Sequence, residues 1–115
     1  MARITALSFI VPVTDLGRAA AFYKQAFGLE EVYRGDEILF VGNPGSETAV
    51  GLLLDPEHAG AGPQNVGLHV DHAIPPDDAV RDVEAAGGTV IERGEHAPGA
   101  PYARIADPDG NVLWI

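Results

Sequence analysis

The chain ends in the stretch 107-DPDGNVLWI-115, a turn that leads directly into an apolar strand. Pro108 fixes φ for the second position of a type I turn, and Gly110 tolerates the left-handed conformation that ends such a turn. The two aspartates of the turn can accept hydrogen bonds from nearby backbone N–H groups. The stretch therefore predicts a hairpin that joins a strand over 102–106 to a strand over 111–115.

Side chains alternate along this last strand, so its residues divide between two faces. Val112 and Trp114 lie on one face, and Leu113 and Ile115 lie on the other. The orientation of Trp114 bears directly on function, because a large aromatic side chain can either fill the core or line a pocket. The sequence alone leaves both interpretations open.

The first half of the chain, about residues 4–55, has the pattern strand, helix, strand, strand, strand. Apolar residues at every second position predict a strand over 4–13 whose core face carries Leu7, Phe9, Val11 and Val13. Asp15 is the expected N-cap of the following helix, and Gly28 its C-terminal stop. Short apolar runs separated by turn residues then predict three strands, over 29–34, 37–41 and 48–54.

The second half, about residues 65–115, repeats this pattern after a linker-like stretch rich in glycine and proline, residues 55–64. A strand over 65–72 precedes a helix that Pro75-Pro76 opens and Gly87-Gly88 closes. Three strands follow, over 90–93, 102–106 and 111–115. We therefore expect one α+β domain over residues 1–115, built from two βαβββ modules that share a core because neither can close its own.

Composition and charge limit the function before any motif is considered. The 115 residues include no cysteine, 7 basic side chains and 17 acidic ones, which gives a net charge of −10. Without cysteine, thiolate chemistry is excluded. An acidic surface repels nucleic acid and anionic membranes, so we expect neither as a partner. No apolar run reaches the roughly twenty residues of a membrane span and no signal peptide is evident, so the sequence predicts a cytoplasmic protein.

Several motifs together resemble the vicinal oxygen chelate superfamily, which includes glyoxalase I, fosfomycin-resistance proteins, extradiol dioxygenases and bleomycin-resistance proteins. These motifs are FIVPVTDL at 9–16, AFY at 21–23, FGL at 27–29 and DPDGN at 107–111. The resemblance covers almost the whole chain. It implies paired βαβββ modules that form a curled mixed sheet around a cavity, with the helices outside. In relatives a second chain commonly completes the cavity, so we expect a homodimer.

In the metal-dependent members of that superfamily, a divalent ion is bound by a His or Gln on the first strand, a His on the fifth strand and a Glu on the last. Carried over to this sequence, these positions fall on Ser8, Asn65 and Trp114. An indole cannot coordinate a cation, an amide oxygen is a weak ligand, and a hydroxyl without a nearby carboxylate rarely holds a transition metal. We therefore expect no metal and no cofactor.

Four histidines are the remaining candidates for acid–base or metal chemistry. His69 follows Asn65 on the same face of the predicted strand, which makes it a candidate general base or ligand-binding residue. His72 faces the other way, and His58 and His96 lie in loops rich in glycine and proline with no evident partner. The alternative is that all four are surface or structural histidines.

We expect six residues to bind a ligand, namely Ser8, Asn65, His69, Tyr102, Arg104 and Trp114. Whether Arg104 points toward the cavity depends on strand register, which the sequence does not fix. A cavity with an indole in place of a metal ion suits a planar ligand, through stacking, cation–π contact and hydrogen bonding. The sequence thus favours a metal-independent protein that binds a small aromatic or amphipathic molecule, resembling the bleomycin-resistance type.

Two alternatives stay open at this point, and with them the question of catalysis. One is an enzyme of the same superfamily, a lyase, isomerase, hydrolase or dioxygenase-like protein that uses His69 as a general base or holds a metal through displaced ligands. The other is a regulatory or structural dimer with a vestigial cavity. The fold does not choose among the three, because one fold hosts many activities.

Overall fold

The computed structural model describes residues 3, 5, 7–46, 48–69 and 74–115, with residues 63–65 described by their backbone alone. The elements of module one are β1 (Leu7–Val13), α1 (Leu16–Phe27), β2 (Glu30–Arg34), β3 (Ile38–Gly42) and β4 (Thr48–Leu54). Those of module two are β5 (Pro63–Gly67), α2 (Pro76–Ala85), β6 (Thr89–Glu95), β7 (Pro101–Ala106) and β8 (Val112–Trp114). The predicted order of two βαβββ units is confirmed.

The strands form two four-stranded mixed sheets, with orders β1-β4-β3-β2 and β5-β8-β7-β6. In each sheet the first strand of the module runs parallel to its last strand, and the other pairs are antiparallel. The two sheets therefore share one topology, which confirms the internal repeat and the α+β class. They stay separate and do not close around a cavity.

The signals that predicted α1 act as expected. The Asp15 side chain accepts a hydrogen bond from the backbone N–H of Arg18, and Gly28 ends the helix with φ of 70°. Its backbone N–H donates to the carbonyl oxygen of Lys24 at 2.8 Å. A left-handed residue at this position satisfies carbonyls that the helix leaves unpaired, and glycine adopts that conformation without steric strain.

A single hydrophobic core extends through both modules. Phe22 of α1 reaches the start of β6, where a Cβ atom placed on Gly88 would lie 2.9 Å from the Phe22 ring and 2.7 Å from Val83 of α2. Contacts this close leave no room for a side chain at position 88, so glycine lets the two modules approach. The shared core agrees with the expectation that neither module closes a core alone.

Two expectations about strands were wrong in part. Val11 and Val13 are fully buried, but Leu7 and Phe9 are 63% and 41% exposed, because they lie at the open end of the edge strand β1. The strand predicted over 65–72 instead begins at Pro63 and ends at Gly67, so His69 lies beyond its end. Residues 70–73, with His72, lie outside the described residues.

The helices give no sign of a membrane span. Neither α1 nor α2 is long and apolar enough to cross a bilayer, and no other helix is present in the described part of the chain.

Candidate ligand-binding site

The 107–111 turn fixes the start of β8 through a buried carboxylate. One oxygen of Asp107 accepts hydrogen bonds from the backbone N–H groups of Asp109 and Asn111, each at 2.9 Å. The other accepts from the Tyr23 hydroxyl and from Asn111 Nδ2, also at 2.9 Å. Burial raises the pKa of Asp107, although these four hydrogen bonds oppose that rise. Burial, reinforced by the Asp107 charge, also raises the pKa of Tyr23.

The same turn ties module two to module one. Asn111 Nδ2 donates to the carbonyl oxygen of Pro12 at 2.7 Å, and Asn111 is completely buried. Asp109 was expected to bond within its own turn, but one of its oxygens instead accepts from Thr14 Oγ1 at 2.5 Å and from Arg18 at 2.7 Å. The turn is therefore an inter-module joint as well as a hairpin connection.

Strand register settles the orientation of the last strand. Leu113 lies opposite Ile105, and Trp114 lies opposite Arg104. Leu113 and Ile105 are fully buried in the core, so Trp114 and Arg104 project from the opposite face of the sheet. Trp114 is half-buried and does not belong to the core.

Three rings meet on that opposite face and form an aromatic cluster of His96, Tyr102 and Trp114. The His96 ring stacks on Tyr102 with centroids 4.4 Å apart, and the Tyr102 and Trp114 centroids are 5.3 Å apart. The His96 and Trp114 centroids are 6.1 Å apart, with the ring planes inclined by 25°. The Arg104 guanidinium lies 5.5 Å from the centre of the Trp114 ring, within the range of a cation–π contact.

Two residues of β6 hold the cluster in place. The Glu92 carboxylate accepts a hydrogen bond from the Tyr102 hydroxyl at 2.7 Å and another from Arg104 at 3.1 Å. These bonds lower the pKa of Glu92, and the Glu92 carboxylate raises the pKa of Tyr102. Gly94 makes room for the phenol, since a Cβ atom there would lie 2.8 Å from the Tyr102 hydroxyl oxygen.

A cavity of about 780 Å³ opens at the end of the second sheet, beside the aromatic cluster and the first turns of α2. Its wall includes Tyr102 and Trp114 from one face of the sheet and Ala103 and Ile115 from the other, so the cavity wraps around the strand ends. Most of the remaining wall is apolar. A half-open apolar cavity of this size beside stacked rings can hold a drug-sized planar molecule.

The predicted site residues divide between this cavity and other places. His69, Tyr102 and Trp114 line it, and Arg104 lies behind the Trp114 ring. Ser8 is exposed on β1 in the other sheet. Asn65 lies in β5, where the side chain is outside the described part of the structure.

Sequence reasoning missed two residues of the cavity wall, His96 and Gly94, and one residue that supports the wall, Glu92. His96 was treated as a loop histidine without a partner, and Glu92 and Gly94 were not considered at all. Their spacing along one strand face was the available signal, but it becomes visible only when β6 extends to Glu95.

The positions that bind a metal in relatives do not fit a divalent ion in this chain. Ser8 is an exposed hydroxyl on β1, and the Trp114 indole packs among Tyr102, His96 and Arg104. Neither an indole nor an isolated hydroxyl suits such an ion. Among the described residues, no three His, Asp or Glu side chains gather in a way that could hold a metal.

The sequence of the chain matches a known protein family. The family model described as "Glyoxalase/Bleomycin resistance protein/Dioxygenase superfamily" matches residues 4–115. No curated protein sequence gives a significant match.

Solved structures share the fold over nearly the full chain. A member of the same superfamily from Sphaerobacter thermophilus is 24% identical, with a TM-score of 0.76, covering 97% of this chain and 95% of that one. A glyoxalase-related enzyme from Fulvimarina pelagi is 22% identical, with a TM-score of 0.75, covering 99% and 87%. TnmS3, an antibiotic binding protein from Streptomyces sp. CB03234, is 27% identical, with a TM-score of 0.73, covering 99% and 95%.

Proposed function

Because the chain belongs to the Glyoxalase/Bleomycin resistance protein/Dioxygenase superfamily, we propose that it is a cytoplasmic, metal-independent protein that binds a small planar molecule. The ligand, aromatic or amphipathic, occupies the cavity at the end of the second sheet. Binding resembles the sequestration carried out by bleomycin-resistance-type proteins and changes no bond in the ligand.

The observation that carries this proposal is the aromatic cluster in the cavity wall. His96, Tyr102 and Trp114 lie within stacking distance of one another, next to apolar wall residues. Stacked rings bind planar compounds through dispersion and through the charge distribution of the ring faces. Glu92 and Gly94 hold the Tyr102 ring before any ligand arrives, and such preorganisation reduces the entropy cost of binding.

The description of one similar solved structure also supports the proposal. One of the similar proteins, TnmS3, is described as an antibiotic binding protein. Antibiotic binding is a property of that protein, and we extend to this chain only the idea of binding a small organic molecule.

The residue types at the three positions that bind the ion in metal-dependent relatives support the proposal of metal independence. Ser8, Asn65 and Trp114 replace the imidazole and carboxylate ligands, and no other described residues assemble a substitute. We expect elemental analysis of the purified protein to find no stoichiometric zinc, iron, manganese or nickel. We also expect chelators to leave its melting temperature unchanged, because no folding free energy is linked to an ion.

We also propose that the protein is a two-fold homodimer. On the face of the first sheet that the helices do not cover, Ile10 and Tyr33 are 44% and 59% exposed, and the Phe40 ring lies beside Tyr33. A second copy can cover this apolar surface. Light scattering coupled to size exclusion should give twice the chain mass at micromolar concentration. A monomer under those conditions would remove the dimer from the proposal.

An enzymatic role for His69 is the competing function, and one observation favours it: His69 lines the cavity. A general base is normally oriented by a second hydrogen-bonded group. Within the described part of the chain, His69 has no hydrogen-bonding partner. We therefore rank binding above catalysis.

The fluorescence of Trp114 tests the proposal, because it is the only tryptophan. Planar aromatic compounds should quench its emission saturably, with micromolar dissociation constants. In Tyr102→Ala the quenching should weaken at least tenfold, whereas Tyr33→Ala, which removes an exposed ring from the other sheet, should leave it unchanged. Quenching that never saturates, or that both variants lose equally, would contradict binding in this cavity.

A further inference from the structure

One dipeptide of the chain, Asp109–Gly110, has the composition that most favours a spontaneous change of the backbone. A backbone N–H that follows an aspartate can attack the side-chain carboxyl, and glycine leaves that nitrogen unhindered because it has no Cβ atom. The sequence contains no other Asp-Gly pair and no Asn-Gly pair. Asp107 cannot react in this way, because Pro108 follows it and proline has no N–H. The turn before β8 therefore carries one reactive linkage.

The reaction conserves the atoms of the chain. The Gly110 nitrogen forms a bond to Cγ of Asp109, the carboxyl C–O bond breaks, and the proton of the nitrogen leaves with the hydroxyl group as water. A second water then opens the five-membered imide at the former main-chain carbonyl. The product is isoaspartate, whose main chain runs through Cβ and Cγ and whose carboxylate is attached to Cα. Its mass equals that of aspartate.

In the folded protein, hydrogen bonds hold both reacting groups. Asp109 Oδ1 accepts from Thr14 Oγ1 at 2.5 Å and from the Arg18 guanidinium at 2.7 Å, and the Asp109 side chain is 2% exposed. The backbone N–H of Gly110 donates to the carbonyl oxygen of Asp107 at 2.9 Å. Ring closure turns the carboxyl toward the nitrogen and removes the proton from that nitrogen. It therefore requires both sets of hydrogen bonds to break.

Both side chains that hold Asp109 belong to module one. Thr14 directly follows β1 and Arg18 lies in the first turn of α1, whereas Asp109 lies in the turn before β8 of module two. The Arg18 side chain is 54% exposed, so this contact lies at the rim of the inter-module joint. Contacts at a rim can open locally while the core stays folded. The restraint on Asp109 thus depends on the joint.

We propose that Asp109 is a site of spontaneous modification that the joint suppresses, and that opening of the joint converts this residue to isoaspartate. In isoaspartate the carboxylate is attached directly to Cα, so it no longer reaches Thr14 and Arg18. The main chain gains one atom, which moves the Gly110 N–H away from Asp107. The modification therefore makes opening of the joint irreversible. It needs no ligand, and it is independent of the proposed binding function.

Mass spectrometry of the tryptic fragment that begins at Ile105 measures the modification. Isoaspartate changes the retention time of this fragment but not its mass, whereas deamidation of Asn111 raises the mass. At neutral pH the folded protein should accumulate isoaspartate at least about tenfold more slowly than the protein unfolded in guanidinium chloride, because hydrogen bonds restrain only the folded state. Equal rates, or an unfolded protein that forms no isoaspartate, would overturn the inference.

Two substitutions remove the donors from module one. Arg18→Met keeps most of the aliphatic stem and Thr14→Val keeps the branched shape. Folded protein with both changes should form isoaspartate at least about tenfold faster than the wild type, since it lacks a charge-assisted and a neutral hydrogen bond. Arg34→Met is the matched control, because Arg34 is 55% exposed and pairs with Glu31 at 2.6 Å. If this control accelerated the reaction as much as the double variant, the role of the joint would be wrong.

Val41→Ala separates opening of the joint from general unfolding. Val41 is buried in β3, so its truncation destabilises the fold without touching the turn. Urea can bring this variant and the double variant to the same free energy of unfolding, and the double variant should then react faster. Equal rates at matched stability would show that the reaction follows global unfolding, which contradicts the inference. If the double variant does not fold, Arg18→Met alone serves in the same comparison.

Discussion

The two ends of β8 lie only a few residues apart and differ in almost every physical respect. At its start, Asp107 and Asn111 are buried, and their hydrogen bonds reach into both modules. At its end, Trp114 is half-buried between the Tyr102 and His96 rings and the Arg104 guanidinium, beside an open cavity. One end of the strand ties the two modules together, and the other end lies beside the cavity that we propose as the binding site.

The contrast follows from what surrounds each end of the strand. The buried polar groups at the start of the strand are satisfied by partners that are themselves fixed, so the strand has one position and one register. The position of the backbone then determines where the residues at its end lie. Substitutions at the first end should therefore change stability, and substitutions at the second should change binding.

The largest expected effect is that of Asp107→Ala. It leaves the Tyr23 hydroxyl, Asn111 Nδ2 and two backbone N–H groups without their acceptor, and each buried unsatisfied group costs about 1–3 kcal/mol. We expect the free energy of unfolding to fall by about 4 kcal/mol in urea denaturation followed by circular dichroism. Asp36→Ala, in an exposed turn, is the matched control and should change it by less than about 0.5 kcal/mol. Equal effects would show that the turn is not a joint.

Leu113 and Trp114 are adjacent in β8 and allow the same test within a single strand. Leu113→Ala opens a cavity in a fully buried position and should reduce the free energy of unfolding by about 3 kcal/mol. Trp114→Ala removes a half-buried ring and should reduce it by about 2 kcal/mol or less. Ligand binding should show the reverse order, measured by calorimetry because the second variant lacks tryptophan. If Leu113→Ala abolished binding in a folded protein while Trp114→Ala retained it, the assignment of faces would be wrong.

Much of the fold could be predicted because its signals are local. The bounds predicted for β4 match those observed, and the Asp15 cap and the Gly28 stop define α1 as expected. Periodicity also separated the faces of Leu113 and Trp114. It failed at Leu7 and Phe9, because alternation assigns a face without showing how far neighbouring elements cover it.

The site was harder to predict because its contacts cross strands. Glu92, Gly94 and His96 meet Tyr102 only through a register that includes an irregularity between Val90 and Glu92. No local pattern reports such an irregularity. The partner of Tyr23 is likewise 84 positions away along the chain, at Asp107.

A smaller effect is expected from Tyr23→Phe, which removes one hydrogen bond to Asp107. The free energy of unfolding should fall by about 1–2 kcal/mol at pH 7, whereas Tyr33→Phe, at an exposed ring, should have no effect. Burial raises the pKa of Asp107 above its ordinary value of about 3.9. The stability that this group contributes to the folded state is therefore fully present below about pH 3.9, and it is lost as the pH rises through the raised pKa. Since the Tyr23 hydroxyl lowers that pKa, its removal should cost more at pH 7 than at pH 4. A cost that is larger at pH 4 would contradict the sign of the shift.

The smallest expected effect on stability is that of Glu92→Gln, beside the cavity end of β8. Glu92 is half-exposed, so the melting temperature should stay within about 1 °C of the wild-type value. The hydrogen bond from Tyr102 to the Glu92 carboxylate raises the Tyr102 pKa, and a neutral amide should therefore let this phenol ionise at lower pH. Spectrophotometric titration of tyrosinate can resolve the change, because the chain has three tyrosines and burial keeps Tyr23 protonated throughout.

Binding should respond in the same variant. With Glu92 replaced, Tyr102 and Arg104 lose the charged acceptor that fixes both side chains, so planar ligands should bind severalfold more weakly although the fold is intact. Glu84→Gln removes a carboxylate from the exposed face of α2 and is the control for the change in net charge. If both variants changed binding alike, in either direction, the effect would be one of overall charge. Weaker binding in Glu92→Gln alone, together with a lower Tyr102 pKa, would show that binding depends on the fixed position of the Tyr102 ring. The cavity end of β8 would then depend on a positioned ring, whereas its start depends on the buried Asp107 carboxylate.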